Sequence, residues 1–156
     1  MSRRKLFAIA FSLTALAAFA AARPDFSGIW EFNPAKGQNI GMMSAMKLTE
    51  TIRQSGSSFD IDDHTLFQGQ AQDNKTHYDL AGKPASNDSP MAGPSETVSK
   101  WQGSKLVTTW TSQNAVAGSK TVCTETRSLS ADGNTMTLES VRGSNPPVVM
   151  VFDRKQ

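Results

Sequence analysis

From Phe26 to the end of the chain, short runs rich in Thr, Val, Ile, Phe and Trp alternate with turn-forming residues. β-branched and aromatic residues suit a pleated, half-buried surface, so this rhythm predicts an all-β fold. The clearest turn is Ala131-Asp132-Gly133-Asn134, because an Asp-Gly step accepts the positive φ of a tight hairpin. Expected strands cover Phe26 to Phe32 and Met46 to Gln54, then a third from Phe59. Leu66 to Gln72 and Lys75 to Leu80 follow, with a break at Asp73-Asn74. Ala81 to Pro94 carries enough Gly, Pro, Asn and Asp to read as an exposed loop. Strands resume over Ser95 to Trp101, Lys105 to Ser112, Lys120 to Leu129, Thr135 to Arg142 and Val148 to Phe152, with a turn at Asn114 to Gly118. The one place for a short helix is Asn39 to Ala45.

About eight to ten short antiparallel strands joined by tight turns would leave two bare edges if the sheet stayed open. Closure removes them, which predicts an up-and-down antiparallel barrel; a two-sheet sandwich is the alternative. Few strands have one wholly apolar face. Thr108 and Trp110 share a side with Leu106, and Thr121, Glu125 and Arg127 share one with Cys123 and Leu129. A solid small barrel needs an apolar interior, so mixed faces predict an interior that is partly polar and holds water or a ligand.

Residues 1–22 have the layout of a secretory signal. Arg3, Arg4 and Lys5 precede the apolar run Leu6 to Phe19, and Ala20 to Ala22 supply small residues for cleavage. The run is shorter than the ~20 residues a spanning helix needs, so no stable membrane insertion is expected after cleavage. The pair Arg3-Arg4 leaves the twin-arginine and general export routes both open. The expected organisation is a signal peptide at 1–22 and one domain at 23–156, exported to the periplasm or beyond.

Loss of the leader removes three cations and no acid, which turns the formal charge from +2 to −1. Nothing in that balance suggests nucleic acid as a partner. With Cys123 as the single cysteine, no intramolecular disulfide can form, and the domain is large enough to fold without one.

Phe26-x-Gly28-x-Trp30 at the head of the first strand resembles the motif of the calycins, the lipocalins and intracellular fatty-acid-binding proteins. The resemblance implies that Trp30 stoppers one end of the barrel, with Phe26 and Gly28 beside it. It also implies that Arg154, just after the last strand, packs over the indole. Together with Trp101-x-Gly103 and Leu129-Ser130-Ala131-Asp132-Gly133, the stretch Asp25 to Pro34 is similar to that of small secreted bacterial lipocalin-like proteins of no assigned activity. The absence of an expected C-terminal helix brings the chain nearer the fatty-acid-binding size class.

The function this predicts is binding of a small apolar or amphipathic molecule inside the barrel. Candidate cavity and mouth residues are Phe59, Tyr78, Trp101 and Trp110, for aromatic area, and Met42, Met43 and Met46, whose thioethers adapt to varied apolar shapes. Two other classes stay open. One is a protein–protein module presenting the Ala81–Pro94 loop. The other is an isomerase- or hydrolase-type barrel enzyme, which would need a polar cluster of shifted acidity inside the barrel. No serine or threonine sits in a strand-turn-helix elbow, and Glu125 with Glu139 is the only carboxylate pair singled out. Asp62, Asp63, His64 and His77 form a weak metal-ligand grouping. No cofactor is expected, and the oligomeric state is open.

Overall fold

The computed structural model describes residues 23–89, 93–113 and 118–156. The expected leader lies outside them, as does most of the turn at 114–118. Ten antiparallel strands follow one another: β1 (Gly28–Phe32), β2 (Lys47–Gln54), β3 (Ser58–Phe67), β4 (Gln70–Asp79), β5 (Ala85–Ser89), β6 (Gly93–Gln102), β7 (Lys105–Gln113), β8 (Lys120–Leu129), β9 (Thr135–Arg142) and β10 (Val148–Arg154). Each pairs with its neighbours in sequence except at one place, and β1 pairs with β10, so the sheet runs β4-β3-β2-β1-β10-β9-β8-β7-β6-β5. Among the described residues the helical content is two short 3-10 turns between β1 and β2, Pro34–Lys36 and Gly41–Ala45.

The barrel is nearly closed rather than closed. No β-ladder joins β4 to β5. Asn87 on β5 spans part of that gap with its side-chain amide. Its Oδ1 accepts the His77 backbone N–H at 2.8 Å, and its Nδ2 donates to the His77 carbonyl at 2.8 Å and to Thr97 Oγ1 at 2.8 Å. A side chain thus supplies the pair of bonds a strand partner would have made.

Two local expectations are corrected. No break occurs at Asp73-Asn74: β3 and β4 form one long hairpin that reverses at Gln68-Gly69, both with positive φ. Asp73 and Asn74 instead sit mid-strand opposite His64 and Asp63. The Ala81–Pro94 segment is not a continuous loop either, since Ala85–Ser89 forms β5 and Gly93-Pro94 opens β6. As the strand beside the gap, β5 needs a ladder on one side only, which its small polar residues can provide.

Strand alternation assigns the interior. The side chains of Ile52, Phe59, Ile61, Tyr78, Leu106, Met136, Leu138 and Phe152 form one core with Phe26, Trp30, Phe32 and Leu80. Most of it gathers at the end that holds the N-terminal segment and the β2–β3, β4–β5, β6–β7 and β8–β9 connections. Trp30 is fully buried there, and its indole N–H donates to the Phe26 carbonyl at 2.8 Å. The Arg154 guanidinium lies 4.1 Å from the Trp30 ring centroid, and its Nη1 and Nε donate to the carbonyls of Ser27 (2.6 Å) and Gly133 (2.9 Å). Trp30 thus fills the closed end, with the Arg154 guanidinium over its ring.

Candidate functional site

At the other end of the barrel the same inward-facing positions turn polar. One row crosses the sheet as Ser99, Thr108, Glu125 and Ser140; the next, nearer the mouth, runs Thr97, Trp110, Cys123 and Arg142. From the opposite wall come Glu50, Asp63 and Asn74 in register. The closed-end core is essentially sealed from solvent. Asp63, Asn74, Trp110, Cys123, Glu125 and Ser140 face the same interior yet are only half-buried. Toward the mouth exposure is mixed: Ser95, Thr97, Ser99, Thr108 and Ser112 are buried, and the six side chains just named are partly reached by solvent.

Four ionisable side chains and one phenol meet where the two halves join. Arg127 is buried and bound by Glu50, with Nη1 to Oε2 at 2.8 Å and Nη2 to Oε1 at 3.4 Å. Both side chains of this pair are at most 6% exposed. A paired, hydrogen-bonded arrangement is what makes burial of such charges tolerable. Burial opposes the charge on Arg127, but Glu50, Tyr78 and Glu125 around it outweigh burial and hold the guanidinium protonated. Tyr78 donates its hydroxyl to Glu125 Oε2 at 3.3 Å.

The remaining carboxyls are under-compensated. Burial, then the neighbouring Glu50, push the Asp63 carboxyl up to about 7, against a weaker pull from Arg127. Burial likewise raises Glu125, opposed by Arg127 and by the Trp110 and Tyr78 donors. The Trp110 indole N–H is close enough to act on that carboxyl but makes no hydrogen bond of good geometry. Asp63 Oδ1, Trp110 Nε1 and Arg127 Nε are buried without a protein partner. Each such orphan costs about 1–3 kcal/mol unless water or a ligand completes it.

The residues singled out from sequence separate into groups. Phe59 and Tyr78 belong to the sealed core, stacked at 5.9 Å, and only the Tyr78 hydroxyl reaches the polar cluster. Trp101 joins the closed end against Phe26, with the Arg23 guanidinium 5.6 Å from its ring centroid. Trp110 faces the open half and meets Tyr78 edge-on at 5.9 Å. Met43 and Met46 lie half-buried in the β1–β2 connection at the mouth, whereas Met42 is 82% exposed.

Asp62, His64 and His77 sit on the outer face of β3 and β4, away from Asp63. Each has its own partner: Asp62 pairs with Arg53 and Lys75, His64 with Asp73 and His77 with Asp60. Among the described residues no three His, Cys, Asp or Glu side chains converge as a metal site. Glu139 is exposed on the outside, so Glu125 does not share the interior with it.

Glu50 and the inward half of the Asp62-Asp63 pair escaped the sequence reading. The signal was there in parity: Glu50 falls between Leu48 and Ile52 on the apolar side of its strand. Two surface concavities lie elsewhere. One of about 450 Å³ is flanked by Lys75, Ser86, Asp88, Glu96 and Lys120 beside the gap, and one of about 370 Å³ by Arg23, Gln54 and Trp101 at the closed end. Neither contains the carboxyl cluster.

Solved structures share this architecture. The REP1-NXSQ fatty acid transporter superposes with a TM-score of 0.65 at 14% identity, over 83% of this chain and 96% of that one. Human cRBP IV gives 0.63 at 17% identity, over 85% and 99%. Fatty-acid-binding protein 1 of Echinococcus granulosus gives 0.65 at 11% identity, over 84% and 98%. The fold is thus the fatty-acid-binding, lipocalin-like barrel of the calycin type. No family model and no curated protein matches the chain.

Proposed function

We propose that this protein is an exported barrel that holds one small amphipathic molecule in the open half of its interior. The observation that carries the reading is that one inward face is apolar and sealed at one end and polar toward the other, where Asp63, Trp110 and Glu125 are partly reached by solvent. Asp63 Oδ1 and Arg127 Nε, buried without a protein partner, support water or a polar ligand group in that half. Leu48 and Met150 line the mouth side of the lumen, with Met43 and Met46 beside it, half-buried. A ligand would therefore enter head first, its polar group among Asp63, Glu125 and Trp110 and its apolar body along that rim. The leader-like segment at 1–22 supports export to the periplasm or beyond, and the names of two structural neighbours, a fatty acid transporter and a fatty-acid-binding protein, support a small apolar or amphipathic cargo.

Native mass spectrometry of the protein purified from its own host tests the reading. A bound small molecule, lost on denaturation, is the expected result; a bare mass under gentle conditions, with no uptake of amphiphiles afterwards, would overturn it.

The same cluster favours a second reading, a barrel enzyme. Asp63, with its acidity shifted toward neutrality beside Glu125 and Tyr78, has the character of a proton carrier. Turnover of a bound compound, abolished in Asp63→Asn, would select that reading over reversible carriage.

A further inference from the structure

We propose that the lumen selects amphiphiles with a cationic, ammonium-type head group and disfavours free carboxylates. This deepens the reading of the open half as a ligand site and rests on it. The ionisable groups that face the interior are Glu50 from β2, Asp63 from β3, Tyr78 from β4, and Cys123, Glu125 and Arg127 from β8. Arg142, on the same side of β9, lies at the exposed rim. Three carboxyl groups thus face one enclosed guanidinium.

That guanidinium is already committed to Glu50 through two hydrogen bonds. A carboxylate ligand could reach it only through the remaining Nε–H, and would do so beside three carboxyl groups that repel it. Asp63 and Glu125 form no ion pair of their own, and burial shifts both toward their neutral forms against the pull of Arg127. An ammonium group placed between them would supply the missing charge and release protons as it bound.

The surroundings suit an organic cation better than a metal ion. Trp110, partly exposed on the inward face in the row next to Glu125, offers an aromatic ring, which attracts ammonium groups without directional ligation. A divalent metal needs several oxygen ligands converging at short range, and among the described residues no such group exists.

The test is a titration of the purified protein at pH 7.5 with dodecylamine, dodecanol and dodecanoate, each kept below micelle formation, read by calorimetry in two buffers of different ionisation heat. Dodecylamine should bind about tenfold or more tighter than the other two, with measurable proton release. Asp63→Asn and Glu125→Gln, each checked for folding by circular dichroism, should shrink the preference for dodecylamine over dodecanol severalfold. Dodecanoate binding as tightly as dodecylamine, or a preference untouched by both substitutions, would overturn the proposal and leave the lumen reading standing. Failure of all three amphiphiles to bind would overturn the lumen reading as well.

Discussion

The guanidinium of Arg154 lies over the face of the Trp30 ring, and its Nη1 occupies the space where a side chain on Gly28 would begin. A β-carbon built on Gly28 would stand 2.6 Å from that nitrogen, and Gly28 has φ +137°. The motif Phe-x-Gly-x-Trp is thus explained locally: the glycine makes room for the arginine that covers the tryptophan. Arg154→Ala should lower stability by about 2–4 kcal/mol, through loss of the stacked charge and two hydrogen bonds to carbonyls. Gly28→Ala should cost about 1–3 kcal/mol by strain and displacement of Arg154. Urea unfolding of the two variants and their double mutant checks this, and the double mutant should show less than the summed loss.

Breaking the Glu50–Arg127 pair from either side should be costly. Glu50→Gln or Arg127→Met alone leaves one buried charge uncompensated, for a loss of about 3–5 kcal/mol. The double variant should recover part of that loss, since neither member of the pair is left charged; Asp63 and Glu125, which lose the pull of Arg127, keep the recovery incomplete. A double-mutant cycle by denaturant unfolding measures the coupling.

Asp63 makes stability fall as pH rises. Its folded value of about 7 lies above the ordinary carboxyl value of 3.8, so between the two the folded state binds more protons than the unfolded state. Stabilisation is complete below about pH 4 and is lost as pH climbs through 7; Glu125 adds in the same direction. Asp62, Asp132 and Asp153 are held below the usual range by hydrogen bonds from neighbouring side chains and act only at more acid pH. Asp63→Asn should therefore flatten the decline between pH 5 and pH 8, with the variant gaining about 1–3 kcal/mol relative to wild type at the alkaline end. Melting curves across this range give the answer.

Asn87 should control the β4–β5 gap. Asn87→Ala removes three hydrogen bonds, leaves the His77 amide without its acceptor and should cost about 1–3 kcal/mol. Amide hydrogen exchange at His77 should speed up in the variant while that of Trp30 stays unchanged.

The barrel was legible because period-two alternation and turn residues are local signals, and Trp30 with Arg154 was legible because a short motif carries its own geometry. The long β3–β4 hairpin was not, since Asp73 and Asn74 carry turn chemistry that ladder pairing with His64 and Asp63 overrides. β5 was hidden because Ala-Ser-Asn-Asp-Ser has no strand propensity of its own and is held by β6 and by the Asn87 amide. The polar cluster was half visible. Glu125 and Arg127 showed on a mixed face, but their partners Glu50 and Tyr78 come from strands far away in sequence, and no local pattern predicts which buried charges meet.

The central claim is that the open half of the barrel, among Asp63, Trp110 and Glu125, is where a small molecule sits. Crystals soaked with an ω-bromododecyl amphiphile test it through the anomalous signal of bromine. The account predicts one strong peak at the mouth, on the Leu48, Met46 and Met150 side, with the head group reaching toward Asp63. A peak confined to the outer surface, or none at saturating ligand with the interior unchanged, would contradict it.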